Sequence, residues 1–208
     1  MSAEITARPH APTTTTLASV ADAVIHAPAT LRAPAGVIVM LHGAGGIPAH
    51  ALGLVEPYAV AENLVIVAPK SAGRTWDIIE GRFGPDVATI ERALAAVFAH
   101  YPVDPVRIAI AGFSDGASYA LTLGLANGSL FRTVMAFSPG SERAPRREGK
   151  PRIFISHGSA DRVLPIAVTS HRLVPALRRA HYAVTYYEYE GGHTVPVEAV
   201  TKALALLP

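Results

Sequence analysis

Ser114 stands in Gly112-Phe113-Ser114-Asp115-Gly116, a G-x-S-x-G pattern. A serine hydroxyl is a weak nucleophile at neutral pH. It needs a base to take its proton and an acid to orient that base. Candidates for both follow along the chain. Asp161 lies in His157-Gly-Ser-Ala-Asp161-Arg-Val-Leu-Pro165, and His193 lies in Glu190-Gly-Gly-His193-Thr-Val-Pro196. The order serine, acid, histidine is the one expected when a G-x-S-x-G turn joins a strand to a helix. G-x-S-x-G alone is a common chance match, so its context is the test: residues 107–111 (RIAIA) read as a strand and residues 114–126 as a helix.

The residue types fit that turn. A nucleophile must stand clear of the backbone, so the chain turns sharply at Ser114. Positions two away on either side then approach other backbone, and Gly112 and Gly116 have no Cβ to clash. The helix N-terminus beneath Ser114 offers free N–H groups to a developing oxyanion. The glycine-rich segment Leu41-His42-Gly43-Ala44-Gly45-Gly46 ends another strand and can aim further N–H groups at the same place. The N–H groups of Ala44 and Asp115 are the candidate oxyanion hole, with Gly43 the neighbouring alternative. Each donor of this kind is worth roughly 3 kcal/mol of barrier.

Simpler readings compete at each position. Ser114 can serve only as a helix N-cap. Asp86, Asp104 and Glu190 rival Asp161, although Asp86 heads a helix and Asp104 sits in a Val-Asp-Pro turn. His193 is one of nine histidines. His10 and His26 precede the core, His100, His171 and His181 fall on or beside helices, and His50 is in a loop. His42 and His157 each precede a glycine at a strand end, where a ring N–H can hold a loop carbonyl. No H-x-x-x-H spacing occurs, so no metal site is expected. Trp76 reads equally well as core packing or as part of a substrate pocket.

These loops need a scaffold that brings them to one edge. Short apolar runs at 36–41, 64–68, 107–111, 133–137, 153–156 and 184–189 read as strands, several of them apolar on both faces. A weaker strand signal spans 19–26. Between the strands, residues 86–101 place Val87, Ile90, Leu94, Val97, Phe98 and Tyr101 on one helical stripe behind Pro85. Residues 168–181 and 196–207 read as further helices. The alternation implies a mostly parallel sheet wrapped by helices, with sites at the C-terminal ends of its strands. Residues 1–16 read as a loose lead-in and residues 17–208 as one domain. Residues 138–150 are loop-like and too short for a lid.

Composition narrows the function classes. Of 208 residues, 50% are hydrophobic and 16% charged, which excludes a disordered chain. The absence of cysteine excludes a disulfide scaffold, a thiolate zinc site and a cysteine nucleophile. The net charge of +2 is too small for a nucleic-acid stripe. No run reaches the ~18 apolar residues of a membrane span. The N-terminus has no apolar signal core, so a cytoplasmic protein is expected.

Taken together, LHGAGG, GFSDG, HGSADRVLP and GGHTVP are similar to the motifs of the α/β-hydrolase superfamily, in its phospholipase/carboxylesterase (acyl-protein thioesterase-like) group. Arg74-Thr75-Trp76-Asp77 resembles that group's Arg-x-Trp loop beside the acyl site. The resemblance covers roughly residues 36–208. It implies an α/β-hydrolase fold without a large cap domain, and a serine hydrolase of carboxylic esters or thioesters. Ser114, Asp161 and His193 would be catalytic, with Gly43, Trp76 and Phe113 near the substrate and no metal or cofactor. The partner would be a small-molecule ester; the oligomeric state is left open. An amidase or acyltransferase on the same triad, or a non-catalytic ligand-binding relative, are the alternatives. The group usually carries Gln after the nucleophile. Here it is Asp115, expected to point outward as a helix N-terminal acid.

Overall fold

Apolar residues on both faces of a strand call for helices on both sides of the sheet, and the computed structural model of the chain has that arrangement. It describes residues 2–10, 20–80 and 83–208. The strands are β1 (Ala23–His26), β2 (Ala35–Leu41), β3 (Leu64–Pro69), β4 (Val103–Phe113), β5 (Thr133–Phe137), β6 (Arg152–Gly158) and β7 (Val184–Tyr189). They form a seven-stranded sheet in the order β1-β3-β2-β4-β5-β6-β7. Only β1 is antiparallel, pairing with β3; the other pairs are parallel. This is the α/β-hydrolase architecture, and no large cap covers it among the described residues.

Alternation along β2 shows how the layers are built. Val37, Val39 and Leu41 face α2 (Pro85–His100), α3 (Asp115–Ala126) and α4 (Ser170–Arg179), in a core with Ile90, Leu94, Phe98, Leu121, Val174 and Leu177. Ile38 and Met40 face α1 (Pro48–Val55) and α5 (Val197–Leu204), in a second core with Val55, Met135, Phe154, Val200 and Leu204. Each fully buried aliphatic or aromatic side chain of this kind contributes about 2 kcal/mol. The stripe expected on residues 86–101 is the buried face of α2. The expected helices at 168–181 and 196–207 are shorter: a 3-10 turn at Ile166–Val168 precedes α4, which ends before the positive φ of His181, and α5 begins after Pro196 and gives way after Leu204 to the i to i−3 bonds of Leu206 and Leu207.

Parallel pairing puts the ends of β2, β4, β6 and β7 at one edge. Phe113 pairs with Phe137, Phe137 with Ser156 and Gly158 with Tyr189. The loops after Leu41, Phe113, Gly158 and Tyr189 therefore leave the sheet side by side.

Residues 3–6, within the expected lead-in, are tied down. Ala3 and Ile5 are buried, alternating with exposed Ser2, Glu4 and Thr6. The Ile5 N–H donates to Asn127 Oδ1 at 2.8 Å, and Asn127 Nδ2 donates to the carbonyls of Ala3 (2.8 Å) and Leu123 (2.9 Å). Thr6 bonds the Glu91 carboxylate on α2. One buried amide at the end of α3 thus replaces the partners a sheet would have given this segment. Residues 11–16 of the expected lead-in, and Ser19 of the weak strand signal, lie outside the described residues.

Asn127→Ala would leave the Ile5 N–H and the Ala3 carbonyl without partners. We expect a loss of about 2 kcal/mol in denaturant unfolding and faster proteolysis near the N-terminus. A loss under about 0.5 kcal/mol would contradict this account of the N-terminal segment.

Candidate active site

Ser114 lies between β4 and α3 with φ 59° and ψ −121°, a region that side chains other than glycine rarely occupy. Such a conformation costs about 1–3 kcal/mol and persists only where surroundings enforce it. The enforcing contacts are local. The Ser114 N–H donates to the Phe137 carbonyl at 2.9 Å, and the Ser114 carbonyl accepts from Ala117 and Ser118 in the first turn of α3. A Cβ on Gly112 would overlap the Gly116 carbonyl, and one on Gly116 would overlap the carbonyls of Leu41 and His42. Both glycines of the motif are there because backbone passes through the space a side chain would take.

Asp161 is on the loop after β6. Its Oδ1 accepts the N–H groups of Val163 (2.8 Å) and Leu164 (2.9 Å). His193 is on the loop after β7. The two loops are stitched together: Ser159 N–H donates to the Tyr189 carbonyl and Ala160 N–H to the Gly191 carbonyl. Gly158 packs against the carbonyls of Gly191 and Gly192 so closely that a Cβ would overlap both. The Tyr189 hydroxyl donates to the Thr194 carbonyl at 2.5 Å, which fixes the backbone just after His193.

The structure brings Ser114, His193 and Asp161 together. His193 Nε2 is 2.9 Å from Ser114 Oγ, and His193 Nδ1 is 2.6 Å from Asp161 Oδ2. An ionised carboxylate only accepts, so Nδ1 carries the ring proton and Nε2 of the neutral ring is free to accept from the serine hydroxyl. Burial works against the charge of Asp161, but the bond from His193 and the two backbone N–H groups outweigh it and hold its pKa below the ordinary 3.8. The Phe113 ring packs against His193 with centroids 4.7 Å apart. Of the rival acids, Asp86 accepts the N–H groups of Ala72 and Asp77, and Asp104 accepts the Val106 N–H.

The glycine-rich loop reaches the same place. A Cβ on Gly43 would lie 3.3 Å from Ser114 Cβ, so this backbone passes directly over the serine. His42 sets its orientation. Ser71 N–H donates to His42 Nε2 at 3.1 Å, so Nδ1 carries the proton and donates to the Gly43 carbonyl at 2.7 Å. Gly46 N–H donates to the same carbonyl. In a trans peptide the Ala44 N–H must point opposite to the Gly43 carbonyl, away from the His42 ring. Among the described residues the N–H groups of Ala44 and Asp115 donate to no protein acceptor.

Two expectations need correction. Trp76 does not line a substrate surface. It is fully buried, its indole N–H donates to the His42 carbonyl at 2.8 Å, and its ring lies between those of His42 and Tyr119. It supports the glycine loop from beneath. Asp115 does not turn out to solvent as a free helix-end acid. It is half-buried, and its Oδ2 accepts the Thr75 hydroxyl at 2.7 Å. The Arg74–Asp77 segment thus touches both the Ser114 turn and the glycine loop, the latter also through Gly45 N–H on the Arg74 carbonyl.

Two buried acids hold that segment, and the sequence reading gave them no role here. Asp77 N–H donates to Asp86 Oδ2 (2.7 Å), while Asp86 N–H donates to Asp77 Oδ2 (3.2 Å). Gly84 N–H and the Tyr119 hydroxyl also donate to Asp77, and Ala72 N–H donates to Asp86. Burial and the Asp77 carboxylate push the Tyr119 hydroxyl far above its ordinary range, so it remains a donor. The clue was the pairing of acids at both ends of one loop that also carries the lone tryptophan.

Burial holds the pKa of His42 and of His157 below the ordinary 6.5. Below pH 6.5 the unfolded chain therefore binds protons that the native rings refuse, and stability falls on acidification. The contribution of Asp161 is present above 3.8 and is lost as pH falls through its lower native value. We expect unfolding free energy to start declining near pH 6.5 and to drop again below 3.8. Chemical denaturation between pH 7.5 and 3 measures this; no change between pH 7.5 and 5 would contradict it.

Comparison with known proteins now adds to the geometry. The family model described as Phospholipase/Carboxylesterase matches residues 77–207. No curated protein matches the chain in sequence. Among solved structures it is similar to esterase PE8, with TM-score 0.71 and 23% identity over 88% of this chain and 96% of that one. It is also similar to a phospholipase/carboxylesterase from Dyadobacter fermentans, with TM-score 0.64 and 21% identity over 88% and 94% of the two chains. A third is acyl-protein thioesterase 2 of Zea mays, with TM-score 0.63 and 19% identity over 88% and 96%. At these identities the structural likeness establishes the fold alone; the family match covers more than half of the sequence. The chain belongs to the phospholipase/carboxylesterase family and is a hydrolase of the carboxylesterase type.

Proposed function

We propose that the protein hydrolyses carboxylic esters, with thioesters as a related substrate class, through an acyl-enzyme on Ser114. The reading rests on one observation, the continuous relay from Ser114 Oγ through His193 to Asp161. His193 Nε2 takes the hydroxyl proton as Oγ attacks the acyl carbonyl. Asp161 holds the imidazole in the Nδ1–H tautomer and stabilises the imidazolium. The Ala44 and Asp115 N–H groups receive the oxyanion, and their lack of protein acceptors leaves them ready for it. The imidazolium returns its proton to the departing alcohol. Water, deprotonated by His193, then attacks the acyl-enzyme and releases the acid.

Gly43 and Phe113, the residues nearest Ser114 and His193, would line the path of the substrate. Gly43 leaves room for a substrate carbonyl above the serine, and the Phe113 ring gives the imidazole an apolar wall. Trp76 acts one layer below. The Thr75 hydroxyl donates to Asp115 Oδ2 and ties that side chain to the Arg74–Asp77 segment.

Ser114→Ala and His193→Ala should each reduce hydrolysis of p-nitrophenyl acetate by about 10⁴-fold or more, with an unchanged circular-dichroism spectrum. A folded Ser114→Ala variant that turns over the ester at the wild-type rate would refute the assignment.

A further inference from the structure

Asp161 has a second imidazole against it. His157 and Asp161 have side chains with 0% exposure, and His157 Nε2 is 3.2 Å from Asp161 Oδ2. The same nitrogen is 2.8 Å from the Leu164 carbonyl, while His157 Nδ1 is 2.7 Å from Ser170 Oγ. A carbonyl can only accept, so Nε2 carries the proton. In the neutral ring Nδ1 is then bare and accepts from the Ser170 hydroxyl. The one Nε2–H bonds the Leu164 carbonyl, and Asp161 Oδ2 lies against the same nitrogen as a longer second contact. We infer that His157 is a positioning residue for hydrolysis, which fixes the Asp161 carboxylate through Nε2–H and thereby aims His193, with the Leu164 carbonyl keeping the proton on Nε2. This inference rests on the proposed roles of Ser114, His193 and Asp161.

The count of donors makes the argument. Oδ1 of Asp161 is held by two backbone N–H groups, Val163 and Leu164. Oδ2 is bonded by His193 Nδ1 at 2.6 Å on one side and contacted by His157 Nε2 at 3.2 Å on the other. With donors on both oxygens the carboxylate cannot rotate about its χ2 without breaking bonds that buried water cannot replace. Without His157, Oδ2 would be fixed only by the imidazole it is meant to orient. His157 also holds the Leu164 carbonyl, in the same residue whose N–H is bound to Oδ1, so ring, loop and carboxylate form one closed unit.

Burial, rather than the charged groups around it, keeps the His157 ring neutral. Asp161 touches it and His193 lies beyond Asp161. Glu188 is its register partner on β7 and is engaged by His171 (2.8 Å) and the Tyr186 hydroxyl (3.0 Å). Burial of the ring outweighs the attraction of Asp161 and keeps its pKa below the ordinary value. A protonated ring would need an acceptor at Nδ1, where the Ser170 hydroxyl would have to turn its proton away.

The test compares His157→Phe, His157→Gln and Ser170→Ala, with Ser114→Ala and His193→Ala alongside. The readouts are kcat, KM, the pH dependence of kcat/KM and the unfolding midpoint, with p-nitrophenyl acetate as substrate. Phe removes the N–H at similar size, whereas Gln carries an amide N–H at a comparable reach. We expect His157→Phe to lower kcat by about tenfold or more with KM within about twofold. A carboxylate that has lost one donor concentrates its charge on its remaining ring, so the acidic limb should move to higher pH. Gln should recover most of kcat and return the limb. Ser170→Ala should leave kcat and the limb near wild type, because the Leu164 carbonyl still keeps the proton on Nε2. Folded Phe and Gln variants with equal activity, or an unmoved limb and wild-type kcat in Phe, would overturn the inference. If His157→Phe does not fold, His157→Met, which also lacks the N–H, takes its place, and wild-type kcat with an unmoved limb in that variant would overturn the inference. If Ser114→Ala or His193→Ala hydrolyses at the wild-type rate, it is the triad reading that fails.

Discussion

The bond between His193 Nε2 and Ser114 Oγ joins residues 79 positions apart, and the bond between His193 Nδ1 and Asp161 joins residues 32 apart. No local propensity produces either. They exist because parallel pairing sets the ends of β4, β6 and β7 level, and because the loops that leave those ends lie in backbone contact. Gly112, Gly116 and Gly158 mark the points of closest approach. The sheet brings the side chains to the same edge, and the loop packing fixes the last ångströms. The strained φ of Ser114 is one expression of this, since the bonds to Phe137, Ala117 and Ser118 leave the residue no relaxed alternative.

A second layer of buried polar groups makes the arrangement rigid. The reciprocal bonds of Asp77 and Asp86 fix the loop that carries Trp76 and Thr75. Trp76 holds the His42 carbonyl, His42 holds the Gly43 carbonyl, and Thr75 holds Asp115. On the other side of the site His157 holds the Leu164 carbonyl and lies 3.2 Å from Asp161 Oδ2. Buried polar groups that are left unpaired are costly, so a satisfied network has few alternative conformations. In a site where a displacement of about 1 Å can cost about a hundredfold in rate, such rigidity has a direct chemical use.

Much of this was legible in the residues. Short apolar runs gave the six strands from 36 to 189, because strands covered on both faces leave a strong signal. The triad candidates were legible because each lies on a short loop after such a run. Other features depended on tertiary contacts. The helix α1, with Ala51 and Val55 as its buried residues, has too little of a stripe to be seen by periodicity. β1 has four residues, and its antiparallel pairing is set by β3 rather than by its own pattern. The burial of Ala3 and Ile5 depends on Asn127 far along the chain, and the Pro- and Thr-rich composition around them pointed to a loop. Trp76 could be core or pocket until its ring was seen between His42 and Tyr119. The departure at Asp115 was visible in the sequence, but its partner Thr75 was not.

The central claim is that Ser114 forms the acyl-enzyme and that His193 activates it. Its most direct test is peptide mass spectrometry after treatment with a fluorophosphonate probe. The account predicts one adduct per chain, carried on Ser114, and loss of that adduct in His193→Ala. An adduct on another residue, or equally rapid modification of Ser114 without His193, would contradict it.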